Sequence, residues 1–335
     1  MSRARSRFDV KPFHPGVAVV TGAGSGIGRG TAKALARHGA EVIVADINFA
    51  TAKDTVAQIR SAGGLAYPYA LDVADTSSMR DFADYVKRNH GVPDVVVNNA
   101  GILVAGPFLD IRHTDLRRIL DVNLTAMVYG CRLFGAQMAE RGRGGHLVNI
   151  SSPVGFLPVR LGTPFSVTNA AVTHFSQTLR VELAPRDIRV TVVCPGLIAT
   201  NLPATAVMAS LTPEQVAITR QITVKAMTLF GMHPDRAGER IVEAVRRNRA
   251  IVPMRPEAWL AYWISRAFPR TARLAMRIAT GPEIERIVRF AIDHPAVLGI
   301  AREAGELMPY RRGLQTYWEP PDYDQPVAPP IPLRR

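Results

Sequence analysis

A β-branched, apolar run, VAVVT at 17–21, passes directly into GAGSGIG and then into RGTAKALARHG. No other stretch narrows the possible folds as far. A strand that ends on closely spaced glycines and opens into a helix is the first unit of a dinucleotide-binding βαβ fold. Gly22, Gly26 and Gly28 let the chain turn tightly, approach a pyrophosphate and pack helix on strand. The N–H groups at the helix start then face the phosphates.

The alternation continues. Short runs at 41–46, 65–73, 94–99, 146–151, 188–194 and 250–253 are separated by helix-period stretches. Strands that are apolar on both faces and divided by helices predict a parallel sheet covered on both sides. The expected fold class is therefore α/β: a doubly wound, Rossmann-like parallel sheet of seven strands with a helical carboxyl-terminal extension. The expected organisation is a basic arm over 1–13, a Rossmann-type domain over 14–255, a helical extension over 256–307 and a proline-rich tail over 308–335. Within it we expect a helical region over about 204–248 and helices near 256–280 and 283–307.

Composition sets the outer limits. With 335 residues, 47% of them hydrophobic, the chain can bury one large core. Cys131 and Cys194 lie in apolar surroundings without metal-ligand spacing, so we expect no disulfide, no metal site and a reduced cytoplasmic setting. The arginine-containing amino terminus is followed by no apolar segment, and no run approaches the roughly 18 apolar residues of a membrane-spanning helix. A net charge of +13 favours polyanions, but the aromatic-basic strand pattern that stacks bases is missing, so nucleic acid is not an expected partner.

The second run ends at Asp46, about twenty residues beyond the glycines, where a carboxylate accepts hydrogen bonds from ribose hydroxyls and repels a 2′-phosphate. Neither Ala23 nor Ser25 supplies a cation, so NAD(H) is expected in preference to NADP(H). An ordinary polar strand end is the plain alternative for Asp46.

Further motifs follow in order: Asp72-Val73, Asn98 to Gly101, Asn123 in DVNL, Ser151-Ser152 in NISS, and Pro195-Gly196 to Thr200 in CPGLIAT. Together with TGxxxGIG they resemble the short-chain dehydrogenase/reductase family over about residues 14–253. The resemblance implies cofactor contacts from Gly22, Ser25, Gly26, Ile27, Gly28 and Asp46 at the adenosine and pyrophosphate. It implies that Asp72 and Val73 flank the adenine and that Asn99, Ala100 and Gly101 line the cleft. It further implies that Pro195, Gly196, Ile198 and Thr200 hold the nicotinamide end. Two of these motifs also admit simpler readings, Asn98 as a tie between strands and Pro195-Gly196 as a turn.

The family transfers hydride between a nicotinamide cofactor and an alcohol or carbonyl, using an Asn, Ser, Tyr, Lys set. By resemblance Asn123 matches the asparagine and Ser152 the serine, with Ser151 a neighbour of the same chemistry. Ser152 also suits local bonding to the backbone at a strand end. Thirteen residues beyond Ser152, at the tyrosine position, stands Phe165, and four further on, at the lysine position, stands Asn169. That spacing puts the pair on one helix face, one turn apart. Phe165 has no proton to give, whereas Asn169 can still bond a ribose hydroxyl but carries no charge. His174 is about 13 Å along the same helix and reads as a packed or interface histidine.

In the extension, Arg266, Arg270, Arg273 and Arg277 form a helical stripe beside Trp259 and Trp263, with Pro269 placed to kink or divide the helix. An amphipathic helix docked on its own protein is the commoner use of such a pattern, and peripheral contact with anionic membrane through 256–279 is the other. This segment and 201–232 are expected to roof a pocket for an apolar small molecule, in a chain expected to form homo-oligomers. Two functions follow. One is an NAD(H)-binding member of the family whose catalysis is impaired, a pseudoenzyme. The other is an active oxidoreductase on a lipid-like or sterol-like substrate, with a proton supplied by the substrate, by water on Asn123 or by Thr168.

Overall fold

The computed structural model describes residues 15–279; the arm expected over 1–13, the helix expected over 283–307 and the tail expected over 308–335 lie outside them. Seven parallel strands form the central sheet: β1 (Val17–Thr21), β2 (Glu41–Asp46), β3 (Leu65–Ala70), β4 (Val95–Asn98), β6 (Gly145–Ile150), β7 (Ile188–Cys194) and β9 (Ile251–Pro253). Their order is β3-β2-β1-β4-β6-β7-β9. The direction of winding reverses between β1 and β4, and ligands of such sheets bind outside the strand ends at that point.

Alternation along each strand feeds both sides of the sheet. Ala18 and Val20 of β1 join the core formed with α1 (Gly26–Arg37), α2 (Phe49–Ser61) and α8 (Pro234–Arg246). Val19 points the other way, into a core with α3 (Thr76–Asn89), α5 (Ala126–Arg141) and α6 (Thr163–Leu183) that contains Phe82, Phe134 and Leu147. Burial on both faces is what near-continuous valine and isoleucine runs require.

The third run ends at Ala70, so Asp72 and Val73 stand in the turn that follows β3 and not inside it. The region expected to be helical over 204–248 is divided. A two-residue strand β8 (Val207–Met208) pairs in parallel with β5 (Val104–Ala105). Two helices follow, α7 (Pro213–Phe230) and α8, each opened by a capping residue, Thr212 and His233, and by a proline at the first helical position. Strands of two residues are too short to show alternation, so the sequence could not mark them.

Between α4 (His113–Leu120) and α5 the chain widens into a π turn, Asp121–Thr125. The extension consists of α9 (Pro256–Ala267) and α10 (Pro269–Ala279), separated at Phe268, so the arginine stripe is not one continuous helix. Helices α1 and α8 meet backbone to backbone, because a Cβ on Gly30 would collide with the Pro234 carbonyl and one on Gly238 with the Gly30 carbonyl. Lys33–Asp235 at 2.8 Å and Arg37–Glu239 at 2.6 Å flank that contact. Among the described residues no helix is long and apolar enough to cross a membrane.

Candidate active site

The loop between β1 and α1 owes its shape to its glycines. Gly22 and Gly26 have φ of +61° and +52°, and a Cβ on Gly22 would lie 2.8 Å from the Ala100 Cα. L-residues with side chains rarely adopt such φ values. Gly28 sits against the Gly22 carbonyl, which fixes the helix start on the strand end. Ser25 is the N-cap of α1 and makes no side-chain capping bond. The first-turn N–H groups of Gly26, Ile27 and Gly28 therefore find no acceptor within the helix and face the loop, as an anion site requires.

Asp46 closes one side of this loop. Its carboxylate accepts the Gly24 N–H at 2.8 Å and the Asn48 N–H at 2.9 Å. Burial pushes its pKa up, while those two N–H groups and the Arg29 guanidinium draw it down less strongly. Arg29, in the first turn of α1, adds a cation that neither Ala23 nor Ser25 supplies. Its side chain folds back to the Gly24 carbonyl and donates to Thr55 Oγ1 at 2.9 Å. The signal was positional: Arg29 follows Gly26 by three residues, which on a helix places it over the same face. Gly24, also missed, leaves no room for a Cβ between Thr51 and Asp46.

Across the switch point, Asn99 donates its side-chain amide to the carbonyls of Thr21 and Gly22 at 2.9 and 3.0 Å. Thr21 Oγ1 accepts the N–H groups of Asn99 and Ala100 at 3.1 and 3.2 Å. Gly101 follows, opposite the Asn123 side chain. The Asp72 carboxylate pairs with Arg118 at 3.0 Å and accepts the Ala74 N–H, next to a buried Val73. Asn98 donates to Asn149 Oδ1 at 2.9 Å, so it does tie β4 to β6.

Asn123 lies in the π turn, and its amide exchanges two hydrogen bonds with Ile102, accepting at 2.8 Å and donating at 2.9 Å. π turns of this kind recur at functional sites because they re-aim a side chain inside a helix. The two serines separate cleanly. Ser151 is buried and bonds the Asn169 carbonyl and Thr173, whereas half-buried Ser152 caps the turn Pro153–Gly155, where its Oγ accepts the Val154 N–H at 3.4 Å. Gly155 brings that turn against the α6 backbone at Asn169.

On α6 the ring of Phe165 packs on Val104, Ile111 and Ile119. Asn169 is buried and donates its amide to the Phe165 carbonyl at 2.7 Å. Thr168 is fully buried with its hydroxyl turned onto the carbonyls of Pro164 and Phe165, which removes it as a proton donor. His174 is exposed on the outer face. After β7, Gly196 has φ of +82° and Ile198 is buried on Met232. Thr200 lies beside Gly26, so the two loops meet. Of the four side chains at 123, 152, 165 and 169, none is ionisable near neutral pH.

Among the described residues no group of histidine, cysteine and carboxylate side chains could hold a metal ion. The glycine cradle, the open helix start and the Asp46 carboxylate fit a nicotinamide dinucleotide.

The chain is similar to known proteins in sequence and fold. A family model for short chain dehydrogenase matches residues 16–209. A probable oxidoreductase of Mycobacterium tuberculosis is 46% identical over 261 residues, a match that covers 77% of this chain and 44% of the relative, so the chain spans less than half of that protein. A C alpha-dehydrogenase of Sphingobium sp. is 29% identical over 256 residues, covering 74% of this chain and 83% of the relative. Among solved structures, a short-chain dehydrogenase from Streptomyces avermitilis matches with a TM-score of 0.65 and 30% identity, over 82% of this chain and 97% of that one. A Burkholderia phymatum short chain dehydrogenase/reductase in complex with NAD matches in fold, with a TM-score of 0.71 at 24% identity, over 78% and 97% of the two chains. On its family match and its fold, this chain belongs to the short-chain dehydrogenase/reductase family.

Proposed function

We propose that this chain binds NAD(H) in preference to NADP(H) and serves hydride transfer with an apolar alcohol or ketone only slowly, as an impaired member of its family. The observation that carries the reading is the Phe165–Asn169 pair. At the face where a phenol and an ammonium would manage a proton stand an apolar ring and an amide engaged by its own helix. A bound nicotinamide would supply or accept the hydride. The protein's own residues then act as holders: the α1 start and Asp46 orient the nucleotide, Pro195 to Thr200 border its far end, and Ser152 offers an O–H to a substrate oxygen. Positioned acid-base catalysis is worth about 10² to 10⁴ in rate, so its loss costs roughly 3 to 5 kcal/mol of barrier.

The alternative, an active oxidoreductase on a lipid-like or sterol-like substrate, has fewer proton sources than the sequence offered. Thr168 is turned inward, and the Asn123 side chain is held by Ile102. Water or a group on the substrate is left to that reading. Single-turnover reduction of bound NAD by a panel of apolar secondary alcohols separates the two: slow reduction across the panel fits the first, and rapid reduction by any member overturns it.

The same proposal includes a cytoplasmic homo-oligomer, its interface supported by Val181, which lies open near the carboxyl-terminal end of α6. It also includes peripheral contact with anionic bilayers through 256–279, supported by exposed Trp263 and Phe268 beside Arg266 and Arg270. Flotation with anionic vesicles at low salt tests the membrane contact, and a protein that stays in the soluble fraction refutes it.

A further inference from the structure

A second cleft lies behind the catalytic positions. It is bounded by the 156–160 loop, the outer face of α6 and one side of α10, and has a volume of about 640 Å³. That size falls within the usual range for a site taking one small molecule. Ser166, Val167 and Ala170 line it, not Phe165 or Asn169. At about 100° per residue these positions point away from the face that carries Phe165 and Asn169.

The walls divide by chemistry. Phe156, Val159, Val167 and Met276 give an apolar surface, on which Val167 is 55% exposed. Arg273 and Arg277 give the charge. Arg273 and Arg277 stand one turn apart on α10. Like charges at that spacing repel on a helix, and an anion placed between them turns the repulsion into attraction. An apolar trough with paired guanidinium groups at one edge matches a molecule with an apolar chain and an anionic head.

We propose that this cleft binds a single-chain anionic amphiphile, a fatty carboxylate, with the carboxylate on Arg273 and Arg277 and the chain along Val167 and Phe156. The site is separate from the cofactor cleft and does not rest on the NAD(H) reading. The turn Pro153–Gly155 connects the two, since Val154 and Gly155 line this cleft while Ser152 caps the same turn.

Calorimetric titration of the full chain with sodium laurate below its micellar range tests the proposal. We expect saturable binding, at least tenfold weaker in the Arg273→Gln/Arg277→Gln protein and at least tenfold weaker for methyl laurate, which has the chain without the charge. Val167→Asp, at an exposed position, is expected to weaken laurate binding to a similar degree. NAD(H) affinity, measured in parallel, should not change in any of these variants, which keeps failure here distinct from failure of the cofactor reading. Equal laurate affinity in the double arginine variant, or equal affinity for the methyl ester, would overturn the assignment. Binding only to anionic phospholipid vesicles would give these arginines to a bilayer surface instead. Self-association that depends on the same arginines and excludes laurate would give the cleft to a second copy.

Discussion

Asn169 donates its side-chain amide to the backbone carbonyl of Phe165, 2.7 Å away and one helical turn earlier. Two positions that in an active family member would cooperate on one proton are here joined through the helix itself. Restoring the chemistry therefore requires both side chains to change together.

Phe165→Tyr with Asn169→Lys is expected to raise single-turnover hydride transfer by about a hundredfold or more, within the range of positioned acid-base catalysis. Each single change should give little. Tyrosine alone keeps an ordinary pKa of about 10, and lysine alone has no phenol to activate. Rapid-mixing absorbance at the reduced nicotinamide band, across native, single and double variants, checks the non-additivity. Additive gains would mean that the two positions act independently.

Cofactor choice is expected to follow Asp46, with NAD(H) bound at least about tenfold more tightly than NADP(H). Asp46→Ser should bring the two within about threefold, because the Arg29 guanidinium that now neighbours the carboxylate would meet a 2′-phosphate instead. The raised pKa of Asp46 adds a pH dependence. Ribose hydroxyls need an ionised acceptor, so NAD(H) affinity should begin to fall on acidification at a higher pH than an ordinary aspartate would give. Titration calorimetry with both dinucleotides over a pH series reads all three effects.

His146 is buried in β6 with Nε2 at 2.7 Å from Thr191 Oγ1, and burial, aided by Arg189 and Arg180, lowers its pKa to about 3. A histidine depressed in the folded state binds its proton more readily when unfolded, so stability falls as pH drops below about 6.5. Between pH 7.5 and pH 5 this single group should remove about 2 kcal/mol. His146→Gln should be less stable at pH 7.5 yet show a correspondingly smaller loss over that interval in urea unfolding. An unchanged pH slope would show that the ring is already charged in the fold.

Gly238→Ala is expected to destabilise the protein by about 1 to 3 kcal/mol, the usual cost of overpacking. The added methyl meets the Gly30 carbonyl on α1. Thermal unfolding measures the loss, and dinucleotide affinity should fall with it if α1 holds the phosphates as proposed. Ala237→Gly, one residue away on the same helix, adds no bulk at the contact and serves as the comparison.

Much of this architecture was legible in the residues themselves. β1, β2 and β7 begin and end where their valine and isoleucine runs do, because both sheet faces are buried and the apolar run has no reason to stop early. Gly22 and Gly26 were legible as turn glycines because their positive φ is a local demand, although the close approach of Ala100 to Gly22 is not. What the sequence could not mark was set by distant partners. The β5–β8 pair joins residues about a hundred apart through two residues on each side. The Arg29 return to Gly24 depends on which way a long side chain turns, and the inward Thr168 hydroxyl on a choice of rotamer. The close approach of Gly155 to α6 needed the tertiary fold to be seen at all.

The glycine contact between α1 and α8 bears on how the protein is made. The helix that opens the nucleotide loop leaves the ribosome well before α8, and the surface it packs on is encoded about 200 residues later. Synthesis runs at about 5 to 20 residues per second. For roughly ten seconds or more, α1 must therefore wait without the α8 backbone against Gly30. The glycine loop is thus translated long before its supporting contact is completed. A nascent chain halted before residue 246 should not retain dinucleotide, whatever its amino-terminal half has already formed.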